Sequence, residues 1–126
     1  MNVAAGMKRK TGIEITGGNS VAVVAFRGAS VTDIEEIRSS AEQVGRFIGD
    51  NHPKKIVFDF TNVRFFSSQV LGLLLDMRQS VQPFNGEVVI SAINPQLHRI
   101  FRITNLDRIF RFFPDTESAV NENDNK

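Results

Sequence analysis

The chain has 126 residues, 41% of them hydrophobic, and this size suits one compact domain with a single core. Its 15 Lys and Arg residues nearly balance 14 Asp and Glu residues, so the net charge of +1 gives no overall field favouring nucleic acid or an anionic membrane. Cysteine is absent, which excludes disulfides, thiolate metal sites and cysteine nucleophiles. The longest apolar run is shorter than the ~20 residues of a membrane span, so we expect a soluble protein, and the lack of cysteine fits a location in the reducing cytoplasm.

The two ends of the chain differ in composition from the part between them. Residues 1–11 lack hydrophobic periodicity, and residues 121–126 read NENDNK, which is entirely polar. Such segments bury too little apolar surface to offset the entropy of ordering them. We therefore expect flexible segments at residues 1–11 and 121–126 and one folded domain over residues 12–120.

The first half of this domain predicts a hairpin followed by a helix. GIEIT (12–16) alternates and SVAVVAFRG (20–28) is rich in valine, and the GGN between them supplies turn residues. From Ile34 to Ile48 the apolar positions recur at steps of three and four, which predicts an amphipathic helix with Thr32 or Asp33 as its N-cap.

The second half alternates strand and helix patterns. In order, the predicted elements are a buried central strand in KKIVFDF (54–60), a helix in QVLGLLLDMRQSV (69–81), a strand in GEVVISAI (86–93), a helix from the Asn94-Pro95 cap to Ile103, an edge strand in RIFRFF (108–113) and a short helix after Pro114-Asp115. This order predicts an α/β fold, in which a mostly parallel β-sheet packs against about four helices.

The stretch RFFSSQVLGLLL (64–75) places two serines between aromatic and aliphatic residues, at the start of the second predicted helix. One serine there is expected to accept a hydrogen bond from an unpaired backbone N–H as an N-cap, which leaves the other available for a second role. A helix start also suits a phosphoserine, because its N–H groups and partial positive charge favour an anion. Phe65 and Phe66 beside the serines are either a contact surface or core residues, and alternation makes at least one of them core.

The sequence gives little support to catalysis or metal binding, and we expect no enzyme, no metal and no cofactor. It contains neither a GxSxG elbow nor a Walker-type phosphate loop. His52 and His98 are the only histidines, and neither has a second ligand at metal-binding spacing. Asp59, near the end of the central strand, is the one residue that a weak nucleotide-binding hypothesis would use.

A local excess of basic residues follows the Asn94-Pro95 cap. Solvation of a polar surface is the ordinary explanation, and docking of an acidic protein partner is the alternative. The aromatic residues here have core spacing, so we expect no nucleic-acid partner. The strip consists of His98, Arg99, Arg102, Arg108 and Arg111.

Two longer stretches resemble a known family. KKIVFDFTNVRFFSSQVLGLLLDM, followed by NGEVVISAINPQLHRIFRITNLDRIF, is similar to the STAS domain of bacterial anti-sigma factor antagonists, and the similarity extends from about Gly12 to Phe113. The resemblance implies a protein that binds an anti-sigma factor of serine-kinase type with a histidine-kinase-like ATPase fold and so frees a sigma factor. Phosphorylation of one serine by that kinase would switch the protein off, and a serine phosphatase would restore it.

Aligned on Leu71-Gly72, the family pattern Asp-Ser-Ser/Thr-Gly-Leu-Gly places the phosphoacceptor at Ser68. The chain departs from the pattern at Ser67, Gln69 and Val70, and these departures predict a less acidic and bulkier local surface. A constitutive STAS scaffold, or an accessory subunit of a transporter or signalling complex without phosphoryl transfer, therefore remains the alternative. The predicted partner-binding residues are Phe65, Phe66, Ser67, Ser68, Gln69, Asp33, Arg99 and Arg102.

Overall fold

The computed structural model describes residues 12–18 and 20–122. The segment 1–11 and residues 123–126, for which we predicted flexibility, lie outside the described residues, as does Asn19 of the GGN turn. Within the described part, the chain has the α/β architecture expected from its sequence.

The described residues form seven strands, four α-helices and two short 3-10 turns. The strands are β1 (Ile13–Gly17), β2 (Val21–Phe26), β3 (Ser30–Val31), β4 (Lys55–Asp59), β5 (Phe65–Phe66), β6 (Glu87–Ser91) and β7 (Arg111–Phe113). The helices are α1 (Ile34–Asn51), α2 (Ser68–Val81), α3 (Pro95–Ile103) and α4 (Thr116–Asn121), and the 3-10 turns are Gln82–Phe84 and Leu106–Arg108.

The main sheet has five strands in the order β1-β2-β4-β6-β7. The hairpin partners β1 and β2 are antiparallel, and every other neighbouring pair in this sheet is parallel. Strand β4 lies at its centre, where Ile56, Val57 and Phe58 have no solvent exposure. A continuous apolar run is typical of a parallel strand covered on both faces, so both the mostly parallel sheet and the central position of KKIVFDF are confirmed.

A second, two-stranded sheet was not predicted. Ser30 pairs with Phe65 and Val31 with Phe66, which makes β3 and β5 parallel. Strands of two residues are too short to show the alternation by which strands are recognised in a sequence. Their pairing joins the connection before α1 to the connection before α2.

The helices cover the two faces of the main sheet unequally. Helices α1, α2 and α3 contribute Val44, Leu74 and Phe101 to the large core, where they pack with Phe58 and other alternate strand residues. On the opposite face a smaller cluster joins Val57 and Val89 to Ala119 of α4. Successive side chains of a strand point to opposite faces, so β4 supplies both cores.

An ionic cluster holds α4 and the following Glu122 against the sheet. Lys55 is buried, and its Nζ donates to the Ala119 carbonyl at 2.9 Å and to Glu122 Oε1 at 3.0 Å. Arg111 bridges Glu122 and Glu87, with its nearest nitrogens 2.6 and 2.7 Å from the two carboxylates. A buried ammonium group needs such partners because an unpaired buried charge is strongly destabilising.

Several predicted boundaries shift by a few residues. The strand predicted over 86–93 is Glu87–Ser91, because Ala92 adopts a left-handed backbone with φ of 57°. The edge strand predicted over 108–113 is only Arg111–Phe113, because a 3-10 turn ends at Arg108 and Ile109 and Phe110 form the turn and bend that follow it. At the other end, α4 runs to Asn121 and Glu122 is paired, so the ordered chain continues past residue 120.

Truncation of a fully buried leucine in α2 tests this core. Leu74 has no solvent exposure, so we expect Leu74→Ala to lower the free energy of unfolding by ~2–5 kcal/mol through lost burial and a residual cavity. Leu75→Ala is the matched control, because Leu75 is only partly buried and should cost less. Urea unfolding measures both, and equal losses would contradict the assignment of the helix face.

The ionic cluster makes stability depend on pH. Hydrogen bonds from Arg111, and then from Lys55, lower the pKa of Glu122 from its ordinary 4.5 to about 2. A carboxyl group with a lower pKa in the folded chain stabilises the fold above its unfolded pKa, and this contribution is lost as the pH falls from 4.5 through 2. We therefore expect Glu122→Gln to destabilise the protein at neutral pH and the difference from wild type to shrink across that acidic range.

Urea unfolding at a series of pH values measures this difference. Glu42→Gln on α1 is the control, because Glu42 is exposed and makes no ion pair with a described residue. A Glu122→Gln deficit that stayed constant down to about pH 2 would show that the carboxylate charge is not what holds α4 in place.

Candidate functional site

Ser68 is the first residue of α2 and is exposed. The preceding Ser67 has φ of −88° and ψ of 166°, the extended conformation of an N-cap residue. The chain therefore turns into the helix between the two serines. This geometry leaves the Ser68 hydroxyl at a helix tip within reach of solvent.

The expectation that a serine hydroxyl caps α2 is wrong. Ser67 occupies the N-cap position, but its Oγ donates to Gln69 Oε1 at 2.7 Å and accepts no N–H from the first turn. Other helices in the same chain are capped by side chains: Asn94 Oδ1 accepts from Leu97 N at 2.9 Å at the start of α3. The first turn of α2 thus keeps backbone donors that no side-chain cap satisfies, and such donors favour an anion.

The β3–β5 pairing brings the starts of α1 and α2 together. Phe65 N donates to the Ala29 carbonyl and Ser67 N to the Val31 carbonyl, each at 3.1 Å. Asp33 caps α1, as predicted, and its Oδ1 accepts from Glu35 N at 2.9 Å and Glu36 N at 3.3 Å. Asp33 is exposed and lies close to the serine turn. Its carboxylate already accepts hydrogen bonds from the helix that it caps.

The two phenylalanines before the serines have opposite environments. Phe65 is 53% exposed, whereas Phe66 is 9% exposed and belongs to the core, with its ring 5.8 Å from Phe60 and 6.1 Å from Phe101. The prediction that Phe66 binds a partner is therefore wrong. Successive side chains of a strand point to opposite faces, so Phe66 of β5 faces the core while Phe65 faces solvent. Phe65 remains a large apolar side chain available to a partner.

Val70 also differs from its expected role. We predicted that a valine in place of the family glycine would make the local surface bulkier, but Val70 has no solvent exposure. Its side chain packs in the core beneath α2. The exposed departures from the family pattern are thus confined to the residues around Ser68, where Ser67 is half-buried and Gln69 is exposed.

An apolar groove that the sequence did not indicate begins beside Gln69 and runs between α1 and α2. Its volume is about 320 Å³. Ile34, predicted as part of the buried face of α1, is 51% exposed at this groove. At Gly72 an added Cβ would meet no atom within 4 Å, so the absence of a side chain there leaves the groove open. Its walls are Ile34, Ile37, Arg38, Ala41, Gln69, Gly72, Leu73 and Asp76.

Asp59 has a structural partner. Its Oδ1 accepts hydrogen bonds from Thr61 N at 2.9 Å and from Thr61 Oγ1, which closes the turn after β4. A cavity of about 310 Å³ lies at the same edge, and Asp59 is not among its lining residues, which include Thr61, Arg64 and Asn94. Binding of a nucleotide through Asp59 stays a prediction from the sequence, because the Asp59 side chain does not line this cavity.

The predicted basic strip is divided by the structure. The His98 ring stacks on Phe112 at 4.2 Å, and Arg111 is paired with two carboxylates. Arg99, Arg102 and Arg108 remain exposed and make no ion pair with a described residue. No hydrogen bond or ion pair within the described chain joins Arg99 or Arg102 to the serine turn.

The five-stranded sheet, the serine turn at the start of α2 and the adjoining groove together define a STAS-type α/β domain. A family model for the STAS domain matches residues 13–119, and the chain belongs to this family. The resemblance drawn from the sequence is thereby confirmed.

The chain is similar to a curated protein and to solved structures of two kinds. The Anti-sigma F factor antagonist of Paenibacillus polymyxa is 27% identical over 67 residues, which are 53% of this chain and 57% of that protein. The structure of the anti-sigma factor antagonist SpoIIAA in its unphosphorylated form has a TM-score of 0.77 at 15% identity, covering 86% of this chain and 92% of that one. The STAS domain of a SulP transporter from Vibrio cholerae has a TM-score of 0.63 at 19% identity, covering 83% and 81%.

The solved structures and the curated relatives support different conclusions. At such low identities the two solved structures establish the fold alone. The chain spans 57–60% of the length of the curated relatives that it matches. In the part of the chain that the structure describes, no helix is long and apolar enough to cross a bilayer.

A comparison of two helix starts tests the geometry of the serine turn. Asp33 makes cap hydrogen bonds, so we expect Asp33→Ala to lower the free energy of unfolding by about 1 kcal/mol. Ser67 makes none, so Ser67→Ala should cost less than about 0.5 kcal/mol. Urea unfolding of the two variants measures the difference, and a larger loss for Ser67→Ala would contradict the uncapped start of α2.

Proposed function

We propose that this protein is an anti-sigma factor antagonist whose binding is switched at Ser68. The exposed Ser68 at the uncapped start of α2, beside exposed Phe65, is the observation that carries the proposal. The partner is an anti-sigma factor with serine-kinase activity and a histidine-kinase-like ATPase fold. Binding of that partner releases a sigma factor and so regulates transcription.

The switch is a phosphoryl transfer to one hydroxyl. The kinase transfers the γ-phosphoryl group of ATP to Ser68 Oγ, ADP leaves, and the hydroxyl proton is released. A serine phosphatase hydrolyses the phosphoserine to return serine and inorganic phosphate. Neither reaction uses a catalytic group of this chain, which acts as the substrate.

The location of Ser68 separates the effect on folding from the effect on binding. A phosphate at the helix start meets backbone N–H groups and the positive end of the helix dipole, which favour it by ~0.3–1 kcal/mol. Desolvation of the same dianion against an apolar surface such as Phe65 costs several kcal/mol, and about 4 kcal/mol weakens binding ~1,000-fold. The modification therefore acts on the complex and leaves the fold in place.

A constitutive role is the second candidate. The likeness to a transporter STAS domain favours a scaffold or an accessory subunit without phosphoryl transfer. Ser67 and Gln69 point the same way, because they replace an acid and a hydroxyl residue of the antagonist pattern next to Ser68. In that case Ser68 would be a surface residue of a permanent contact.

Incubation with ATP and candidate kinases of the histidine-kinase-like fold separates the two candidates. We expect mass spectrometry to locate one phosphate on Ser68 and none in a Ser68→Ala variant. Ser39 on α1 is an exposed serine in the same chain and serves as an internal reference for non-specific labelling. Absence of phosphate from Ser68 with every cognate kinase would favour the constitutive scaffold.

A phosphate mimic tests the effect on binding. We expect Ser68→Asp to weaken binding of the anti-sigma factor at least 10-fold while the melting temperature stays nearly unchanged, because a helix start tolerates negative charge. Ser39→Asp is the matched control and should change neither quantity. Isothermal titration calorimetry and thermal unfolding measure the two effects, and a parallel loss of stability would mean that Ser68 has a structural role.

A further inference from the structure

Ile103 is the most exposed large apolar side chain in the described part of the chain, at 71%. It is the last residue of α3, and the following Thr104 donates its hydroxyl to the Ile100 carbonyl at 2.8 Å. Arg99 lies four positions before Ile103 and three before Arg102, so it neighbours both on the helix surface, and all three residues are exposed. The end of α3 is thus an apolar knob accompanied by two exposed arginines that pair with no carboxylate among the described residues.

The α1–α2 groove has the complementary character. It is open, apolar and about 320 Å³ in volume, which accommodates an aliphatic side chain. Asp76 lines it and is exposed, and Glu35 on α1 lies one residue from Ile34. Arg38 is the one basic residue of the lining, and it is paired with Glu35 at 3.2 Å.

We propose that the groove receives Ile103 from a second copy of this chain, with Arg99 and Arg102 facing the exposed carboxylate of Asp76 at its rim. The high exposure of Ile103 shows that it does not fill the groove of its own chain. An apolar side chain that fits a pocket elsewhere on the same molecule makes a head-to-tail contact, which continues as an open chain or closes as a ring. The predicted assembly is therefore heterologous.

A second copy explains these features better than a membrane does. Lipid-binding basic clusters have about 4–8 Lys and Arg residues, whereas the end of α3 has two exposed arginines, Arg99 and Arg102. Arginine is also the cation enriched in protein interfaces, where its planar group pairs with carboxylates. A bilayer, moreover, leaves the apolar groove between α1 and α2 without an occupant.

The contact is small and exchanges readily. One inserted side chain with a charged rim corresponds to a weak, transient interface, for which we expect a dissociation constant on the order of 0.1–1 mM. The groove begins at Gln69, next to Ser68. A partner bound at the serine turn and a second copy in the groove would therefore compete, but the self-contact itself does not depend on phosphorylation or on the proposed anti-sigma factor.

Sedimentation velocity of the purified protein alone, at about 10 µM to 1 mM, tests the self-contact. We expect the weight-average sedimentation coefficient to rise with concentration and the rise to weaken at high salt, because the rim is charged. Ile103→Ala removes the knob and Gly72→Leu fills the groove, and each should weaken association at least 10-fold. Arg46→Glu is the control, because Arg46 is exposed on α1 and is not part of the groove lining.

Mixing the two variants gives the sharper result. The Ile103→Ala chain keeps an open groove and the Gly72→Leu chain keeps its knob, so an equimolar mixture should form one-to-one dimers and nothing larger. Circular dichroism of each variant confirms folding before it is used. A constant sedimentation coefficient up to 1 mM, equal association of wild type and both variants, or a mixture without dimers would each overturn the proposal.

The same purified chains test whether the end of α3 binds a membrane instead. Flotation with phosphatidylglycerol and phosphatidylcholine vesicles should recover no more wild type than Ile103→Ala. Recovery that depended on Ile103 and on phosphatidylglycerol, without self-association, would assign the end of α3 to a membrane and overturn the proposal. Neither experiment contains a kinase or an anti-sigma factor. Failure of the self-association proposal would therefore leave the proposed function of Ser68 unaffected.

Discussion

Burial of β4 on both faces is the constraint on which the rest of the structure depends. Parallel pairing with β2 on one side and β6 on the other fixes its neighbours, and its alternate residues supply both the three-helix core and the smaller core under α4. Because parallel strands end at one edge of the sheet, the connections after β2 and β4 emerge side by side. That placement is what allows β3 and β5 to pair and bring the starts of α1 and α2 together.

Elements with strong periodicity could be predicted from the sequence. The apolar run of β4, the three-and-four spacing of α1 and the Asn94-Pro95 start of α3 are each determined by a local pattern, and each appears where it was expected. The position of Ser68 at a helix start follows from the same kind of reasoning, because the helical spacing begins directly after the two serines. These features depend on neighbours within a few residues along the chain.

Features that depend on contacts between distant segments could not be predicted. The β3–β5 pairing joins residues more than thirty positions apart, and nothing in either two-residue stretch reveals it. Whether Phe65 or Phe66 faced the core depended on which face of β5 is turned toward it, and the pairing with β3 fixes this orientation. Likewise, Ile34 continues the apolar stripe of α1 but is half exposed at the groove, where Gly72 of α2 has no side chain to cover it.

The placement of α4 on the opposite face of the sheet from α1 and α2 has a practical consequence. The chain leaves the described structure at Glu122, which is held by Lys55 and Arg111 on that rear face. A tether attached directly after Glu122 would therefore orient an immobilised molecule with its serine turn pointing away from the support. Surface-based assays anchored in this way would leave the side of the domain that carries Ser68 accessible, provided that the anchor preserves the Glu122 carboxylate.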